Sequence, residues 1–191
     1  MRSIFSSALV IALCLLAPQA LAADLPTYEI VKNKSFLKFN AIQNDAPIEG
    51  KFTDFTAEIH FDPDHLQDSS VKVEVNLGSV VVQSPDVLQN IKAPDWLSVE
   101  AFPKATFLCK KFTRMPASNN YYADCQLTLR GKTVPVVLNF QMEHFDSKGA
   151  VVTGYVSLHR LDFGIGQGEW SHDDVVKDEV HVEFRVAAER K

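Results

Sequence analysis

Apolar and polar residues alternate with a period of two along most of the chain beyond its first two dozen residues. Between Glu179 and Ala188, Val180, Val182, Phe184 and Val186 fall on one face, and Glu179, His181, Glu183 and Arg185 on the other. Val71, Val73, Val75 and Leu77 alternate in the same way with Lys72, Glu74 and Asn76. Val134, Val136, Leu138, Phe140 and Met142 alternate with a set that includes Asn139, Gln141 and Glu143. Successive side chains of a strand point to opposite faces, so each run predicts a strand with one buried and one wetted face. Strands are expected near 27–31, 35–42, 49–61, 70–82, 105–113, 120–130, 133–144, 150–160 and 178–188. Turn residues separate them at Asp62-Pro63-Asp64, Met115 to Asn120, Arg130-Gly131-Lys132 and Ser147-Lys148-Gly149. One helix is expected near 85–92, opened by Ser84 as a cap with Pro85 in the first turn.

Several of these strands reach ten residues, about 33 Å at about 3.3 Å per residue. Strands of that length joined by short turns would leave long unpaired edges in an open sheet, and closure into a barrel removes them. The prediction is an all-β fold, a closed antiparallel barrel of about eight strands with one short helix. A two-sheet sandwich is the alternative. A barrel embedded in lipid would turn its apolar side chains outward. Here that would place Lys72, Glu74, Glu179, Glu183 and Arg185 on the opposite, inward face or in hydrocarbon, where charge is costly. The apolar face is therefore expected to point inward and the outer wall to meet water.

The 191 residues suit a single domain once the start of the chain is set aside. Arg2, the apolar run Ala8 to Ala17 and the small-residue site Ala20-Leu21-Ala22 read as a cleaved signal peptide over 1–22, leaving one domain over 23–191. The run is too short to span a bilayer, which takes about 20 apolar residues. The expectation is a periplasmic or secreted protein that does not span the membrane. Loss of the leader removes Arg2 and Cys14 and moves the net charge from −5 to −6. An acidic chain without a basic stripe does not fit nucleic-acid binding.

Export also bears on Cys109 and Cys125, which flank a turn centred near Ala117. In a symmetric hairpin they would lie opposite one another, about 4.5 Å apart at Cα, within disulfide range. Two buried thiols are the alternative. The spacing is not Cys-x-x-Cys, so a redox-active pair is not indicated.

Catalytic and metal motifs are sparse. His60, His65, His144, His159, His172 and His181 form no H-x-H or H-E-x-x-H pattern, so no metal site is predicted. No Gly-x-Ser-x-Gly elbow or phosphate-binding glycine loop is present, and the chain is not read as an enzyme. The 12 phenylalanines beyond the leader, spread over most strands, would fill a solid core or line a hollow one, and composition does not distinguish the two.

Five short segments in a fixed order carry a family resemblance. They are Gly50-Lys51-Phe52-Thr53-Asp54-Phe55 with Ile59 to Pro63, Phe102 to Phe107, Leu127 to Val136, Arg160 to Gly166, and Asp178 to Val182. Together the sequence resembles the YceI-like family of polyisoprenoid-binding, lipocalin-like proteins over nearly the whole chain after the leader. The resemblance implies a barrel whose apolar interior tunnel holds one isoprenoid chain, as a polyprenyl phosphate or an isoprenoid quinone, for carriage or buffering. It implies no cofactor beyond such a bound lipid or quinone. As an alternative it implies an accessory role beside a membrane b-type cytochrome in quinone-linked redox chemistry or envelope stress. The chain departs from the family pattern at Gln43, where many relatives carry His.

On this reading the tunnel is lined by the inward rows Leu37, Phe39, Phe55, Ile59, Phe61, Val73, Val75, Phe107, Leu127, Leu129, Val136, Leu138, Phe140, Val182 and Phe184. A tail of about 40 carbons would gain a gross term near 30 kcal/mol at about 0.8 kcal/mol per methylene, above the practical affinity ceiling. Tail burial would thus dominate binding. Arg160 and Asp162 are the head-group candidates, a guanidinium being suited to a phosphate or quinone oxygen. The competing and favoured reading is a structural Arg160–Asp162 pair that pins the Phe163-Gly164 bend. Arg130, in a hairpin turn, is expected to be solvated.

Overall fold

Residues 25–191 are described by a computed structural model, and the expected leader lies outside these described residues. The alternating runs form eleven strand segments of one antiparallel sheet. These are β1 (Thr27–Ile30), β2 (Phe36–Gln43), β3 (Ala46–Phe52), β4 (Phe55–His60), β5 (Ser70–Asn76), β6 (Val80–Val82), β7 (Lys104–Arg114), β8 (Asn120–Leu129), β9 (Lys132–Phe145), β10 (Gly149–His159) and β11 (Glu179–Arg190). The helix α1 spans Pro85–Lys92, with the Ser84 hydroxyl accepting from the Val87 amide at 3.4 Å and Pro85 at the first position.

Two strands expected to be continuous are broken. The run 49–61 divides into β3 and β4, and 70–82 into β5 and β6 around a 3₁₀ turn at Leu77–Ser79. Polar side chains that compete for backbone partners cause both breaks. Ser79 Oγ donates to the Asn76 carbonyl at 2.7 Å and accepts from the amides of Thr53 and Asp54 at 3.2 and 3.1 Å. The Asn76 side chain accepts from the Gly78 amide at 3.0 Å.

With β1–β2, β3–β4 and β5–β6 each counted as one interrupted strand, the sheet is an eight-stranded up-and-down barrel. It closes because β11 pairs with β10 along one edge and with both β1 and β2 along the other, through Ala188↔Ile30 and Val182↔Phe39. The outer wall is polar, as expected. Lys72 reaches Glu58 at 3.6 Å and Glu74 at 3.0 Å, and Lys104 reaches Glu74 at 3.2 Å.

Each end of the barrel is stoppered by its own cluster. Near α1, the segments 93–103 and 160–178 bring Leu97, Phe163 and Ile165 against Leu77, Leu127 and Leu129. At the opposite end Tyr28, Phe61, Tyr121, Met142 and Ala188 pack together, with Leu66 from the 61–69 loop against them. Edge-to-face contacts of Phe61 with Phe112 and Phe140, at 5.3 and 6.3 Å between centroids, tighten this second stopper.

Cys109 and Cys125 are joined as a disulfide and are direct neighbours in the ladder, 4.1 Å apart at Cα. The hairpin is not symmetric, however. Arg114 lies opposite Tyr121, a register that would set Cys109 against Gln126, and a bulge at Lys110 shifts the strand by one residue to meet Cys125. Closing this loop stabilises by about 3 kcal/mol in the chain-entropy account.

The loop over the aromatic end is held by Asp62, whose carboxylate accepts from the Asp64 amide at 2.9 Å and meets His65 Nδ1 at 3.0 Å. These bonds hold the Asp62 carboxyl below its ordinary range, the Asp64 amide most, and the Asp62 contact raises the His65 imidazole. The Asp62 contribution is present above its ordinary value and lost as pH falls through its lowered one. The His65 contribution is complete below 6.5 and lost as pH rises through its raised value. A proton NMR titration of the His65 ring is expected to show a midpoint above 6.5 that falls in Asp62→Asn.

Candidate functional site

Between the two stoppers the barrel is hollow. The cavity measures about 250 Å³ and takes its walls from all eight strands. Every lining residue but Tyr28 lacks a side-chain oxygen or nitrogen. The Tyr28 hydroxyl is buried without a hydrogen-bond partner, and burial raises its pKa, with Asp62 adding and Arg190 opposing. Polar water would find almost nothing to bind in such a space, whereas an apolar chain would give up no hydrogen bonds on entering it.

Most of the expected inward rows reach the cavity: Leu37, Phe55, Ile59, Phe61, Val73, Val75, Phe107, Leu127, Leu129, Leu138, Phe140, Val182 and Phe184. Phe39 and Val136 are corrections. Phe39 lies opposite Gly50, and its ring occupies the space a Cβ there would need, beside Val82 and Phe52. It seals the wall and does not line the cavity. Val136 lies opposite Cys125 and packs over the buried Cys109, Ala123 and Cys125.

The expected rows omitted one entire wall. Ala150, Val152, Val156 and Leu158 of β10 line the cavity, and their period-two spacing is present in the sequence. Gly154 sits in the same row, where a Cβ would collide with the Phe184 ring. Leu97 also lines the cavity from a loop and carried no periodic signal.

The head-group candidates lie elsewhere. Arg160 is 3% exposed, and all five of its N–H donors go to backbone carbonyls. Nε bonds Lys177 at 3.1 Å, Nη1 bonds Ile165 and Trp170 at 2.8 Å each, and Nη2 bonds His172 and Val176 at 2.7 Å each. The guanidinium also stacks 5.6 Å from the Trp96 ring centroid. Burial lowers its pKa, and the charges of Asp178 and Asp173 oppose that shift. No donor is left for a ligand, so Arg160 organises the 160–178 stopper. Its partner is not the Asp162 carboxylate, because Asp162 is exposed and contributes only its carbonyl, to Lys132 Nζ at 3.3 Å. Arg130 is likewise engaged, donating to the carbonyls of Gly164 and, at 2.6 Å, Pro94.

A second feature of the wall was not legible from alternation. The last β2–β3 pair is Leu37↔Phe52, and the next pair on those strands is Tyr28↔Ile59 between β1 and β4. Residues 29–36 and 53–58 therefore face each other without a ladder. The first strand stays tied to β11 through the Val31 amide to the Ala187 carbonyl at 2.8 Å, and through Ser35. The second stays tied to β5, through the Asn76 amide to the Asp54 carbonyl at 3.0 Å. The slot lies between them, flanked by the cavity-lining Ile30, Phe36, Phe55 and Ala57.

Residues 28–188 match the YceI-like domain. The chain belongs to the YceI-like family. Its relatives include UPF0312 proteins of Vibrio cholerae, 31% identical over 144 residues, covering 71% of this chain and 73% of the relative. A UPF0312 protein of Pseudomonas aeruginosa is 31% identical over 159 residues, covering 78% and 80%. Among solved structures, Burkholderia cenocepacia BcnA superposes with a TM-score of 0.77 at 25% identity, over 83% of this chain and 98% of BcnA. A polyisoprenoid binding domain from Saccharophagus degradans, implicated in plant cell wall breakdown, superposes with a TM-score of 0.68 at 13% identity, over 86% and 98%. YceI-like proteins thus share this barrel, and the expected all-β closed fold is the observed one.

Proposed function

We propose that this YceI-like protein is an exported binding protein that holds one isoprenoid tail inside its barrel for carriage or buffering. The observation that carries the reading is the hollow, apolar cavity in a barrel whose two ends are packed with apolar side chains. The family membership and the polyisoprenoid binding named for the Saccharophagus domain support the choice of ligand class. Export is supported by the leader residues Arg2 and Ala8 to Ala22 and by a disulfide, which persists in oxidising compartments.

Cavity size revises the tail length. At 10–15 Å³ of accessible volume per water-sized group, 250 Å³ holds about 20 such groups, half of the 40 carbons first considered. Burying them is worth a gross term of about 16 kcal/mol, inside the ceiling of about 18–21 kcal/mol before ordering costs are subtracted. Affinity for a series of prenols of 10, 15, 20, 30 and 40 carbons is expected to rise steeply to 20 carbons and then level off, as read by isothermal titration. Lipids extracted from protein purified without detergent are expected to contain one isoprenoid per chain by mass spectrometry. Clean protein that also ignores every prenol would refute the reading.

A further inference from the structure

We infer that the ligand enters sideways, through the slot between β1–β2 and β3–β4, and that the lysine-rich rim of this slot receives an anionic head group such as a phosphate. The inference rests on the tail-binding reading above and adds a route and a head-group class to it.

Packed side chains fill the ends of the barrel. Among the described residues the hydrogen-bonded wall adjoining the cavity is interrupted in two places, at 29–36 against 53–58 and, beyond the pair Tyr155↔Asn139, at 132–138 against 156–159. The first of these is the one bordered by Lys32, Lys34, Lys38 and Lys51. Phe36 marks it as a passage. Its register partner Arg185 belongs to the outer wall, and the Lys38 ammonium stands 4.7 Å from the Phe36 ring centroid. Yet the same ring lines the cavity. One side chain thus contacts both the outer surface and the interior.

Charge at this opening is asymmetric. The 3₁₀ turn Lys32–Lys34 lies along one side of the slot, and of its lysines only Lys32 reaches across, to Asp54 at 3.9 Å with both side chains exposed. Of the other nearby carboxylates, Glu29 lies 3.7 Å from Lys191 and Glu58 3.6 Å from Lys72, while Glu183, the register partner of Lys38 on β11, forms no ion pair among the described residues. Among the described residues Lys34, Lys38 and Lys51 form no ion pair, and Lys38 and Lys51 are register partners beside the slot. A tail lying in an apolar cavity must leave its polar end outside, because burying an uncompensated charge is far costlier than burying methylenes. At this rim a phosphate meets several ammonium groups, while the long Lys32–Asp54 contact is weak enough to open.

The test uses geranylgeranyl phosphate and geranylgeraniol, which share a 20-carbon tail and differ in head-group charge, against the mature chain with its disulfide intact. Lys32→Gln/Lys34→Gln is expected to weaken the phosphate about tenfold and the alcohol less than twofold. Lys110→Gln/Lys111→Gln, which removes the same charge from exposed positions on β7, is expected to change neither. Ala57→Trp, at the slot margin, is expected to slow association of both ligands at least tenfold in stopped-flow fluorescence. Val73→Phe, inside the wall, is expected to speed dissociation and leave association unchanged. Circular dichroism confirms that each variant is folded. If both ligands bind and neither the lysine pair nor Ala57→Trp has these effects, the slot is not the passage and the inference is overturned. If neither ligand binds the unsubstituted protein, the tail-binding reading itself fails and takes the inference with it.

Discussion

Arg160→Ala is expected to lower the unfolding free energy by about 3–5 kcal/mol, the largest single effect on stability anticipated here. The side chain is buried, and its five donors hold carbonyls of Ile165, Trp170, His172, Val176 and Lys177. These come from an irregular stretch that has few ladder bonds of its own, so the guanidinium takes the place of a strand partner. Removing it leaves several buried oxygens without donors, each costing about 1–3 kcal/mol unless water enters. Arg160→Lys should recover little, because an ammonium has three donors and no planar fork to reach all five carbonyls. Urea denaturation of the three proteins provides the comparison. A loss below 1 kcal/mol would show that the 160–178 segment keeps its shape unaided. Under conditions where Arg160→Ala remains folded, prenol affinity should match that of the parent, since Arg160 does not line the cavity.

Val73→Phe tests the cavity itself. Val73 lines the tunnel at mid-wall, between Ala57 of β4 and Phe107 of β7. In a filled core the added ring would overpack and cost about 1–3 kcal/mol. In a hollow one it occupies space otherwise left to the ligand. The expected result is a stability within about 1 kcal/mol of the parent and a loss of about 100-fold in prenol affinity. That loss corresponds to excluding three or four methylene-sized groups at about 0.8 kcal/mol each. Strong destabilisation with unchanged binding would mean that the ligand lies elsewhere.

Alternation carried far into the tertiary structure because a barrel has only two faces. Once Val180, Val182, Phe184 and Val186 are assigned to one side, closure makes that side the interior. Helix α1 was equally legible, since Ser84 and Pro85 act on the backbone within a few residues. The strand breaks were less so. Ser79 contacts Thr53 and Asp54 across 25 residues or more, and no local pattern reports such a contact. Phe39 failed as a cavity residue for the same kind of reason, because its ring turns over a glycine on the neighbouring strand. The role of Arg160 depended on a 16-residue stretch of loop curling round one side chain. Its proximity in sequence to Asp162 pointed to the wrong partner.

The sequence by itself determined the fold class, the inward apolar face and the family, all of which follow from periodicity, turn residues and short ordered segments. Only the tertiary structure decided that Cys109 and Cys125 meet across a bulge, that the barrel is hollow, that its ladder is interrupted beside the cavity, and that Arg160 is spent on carbonyls. A void, a missing ladder and a saturated guanidinium are properties of what surrounds a residue, and packing at a distance sets those surroundings.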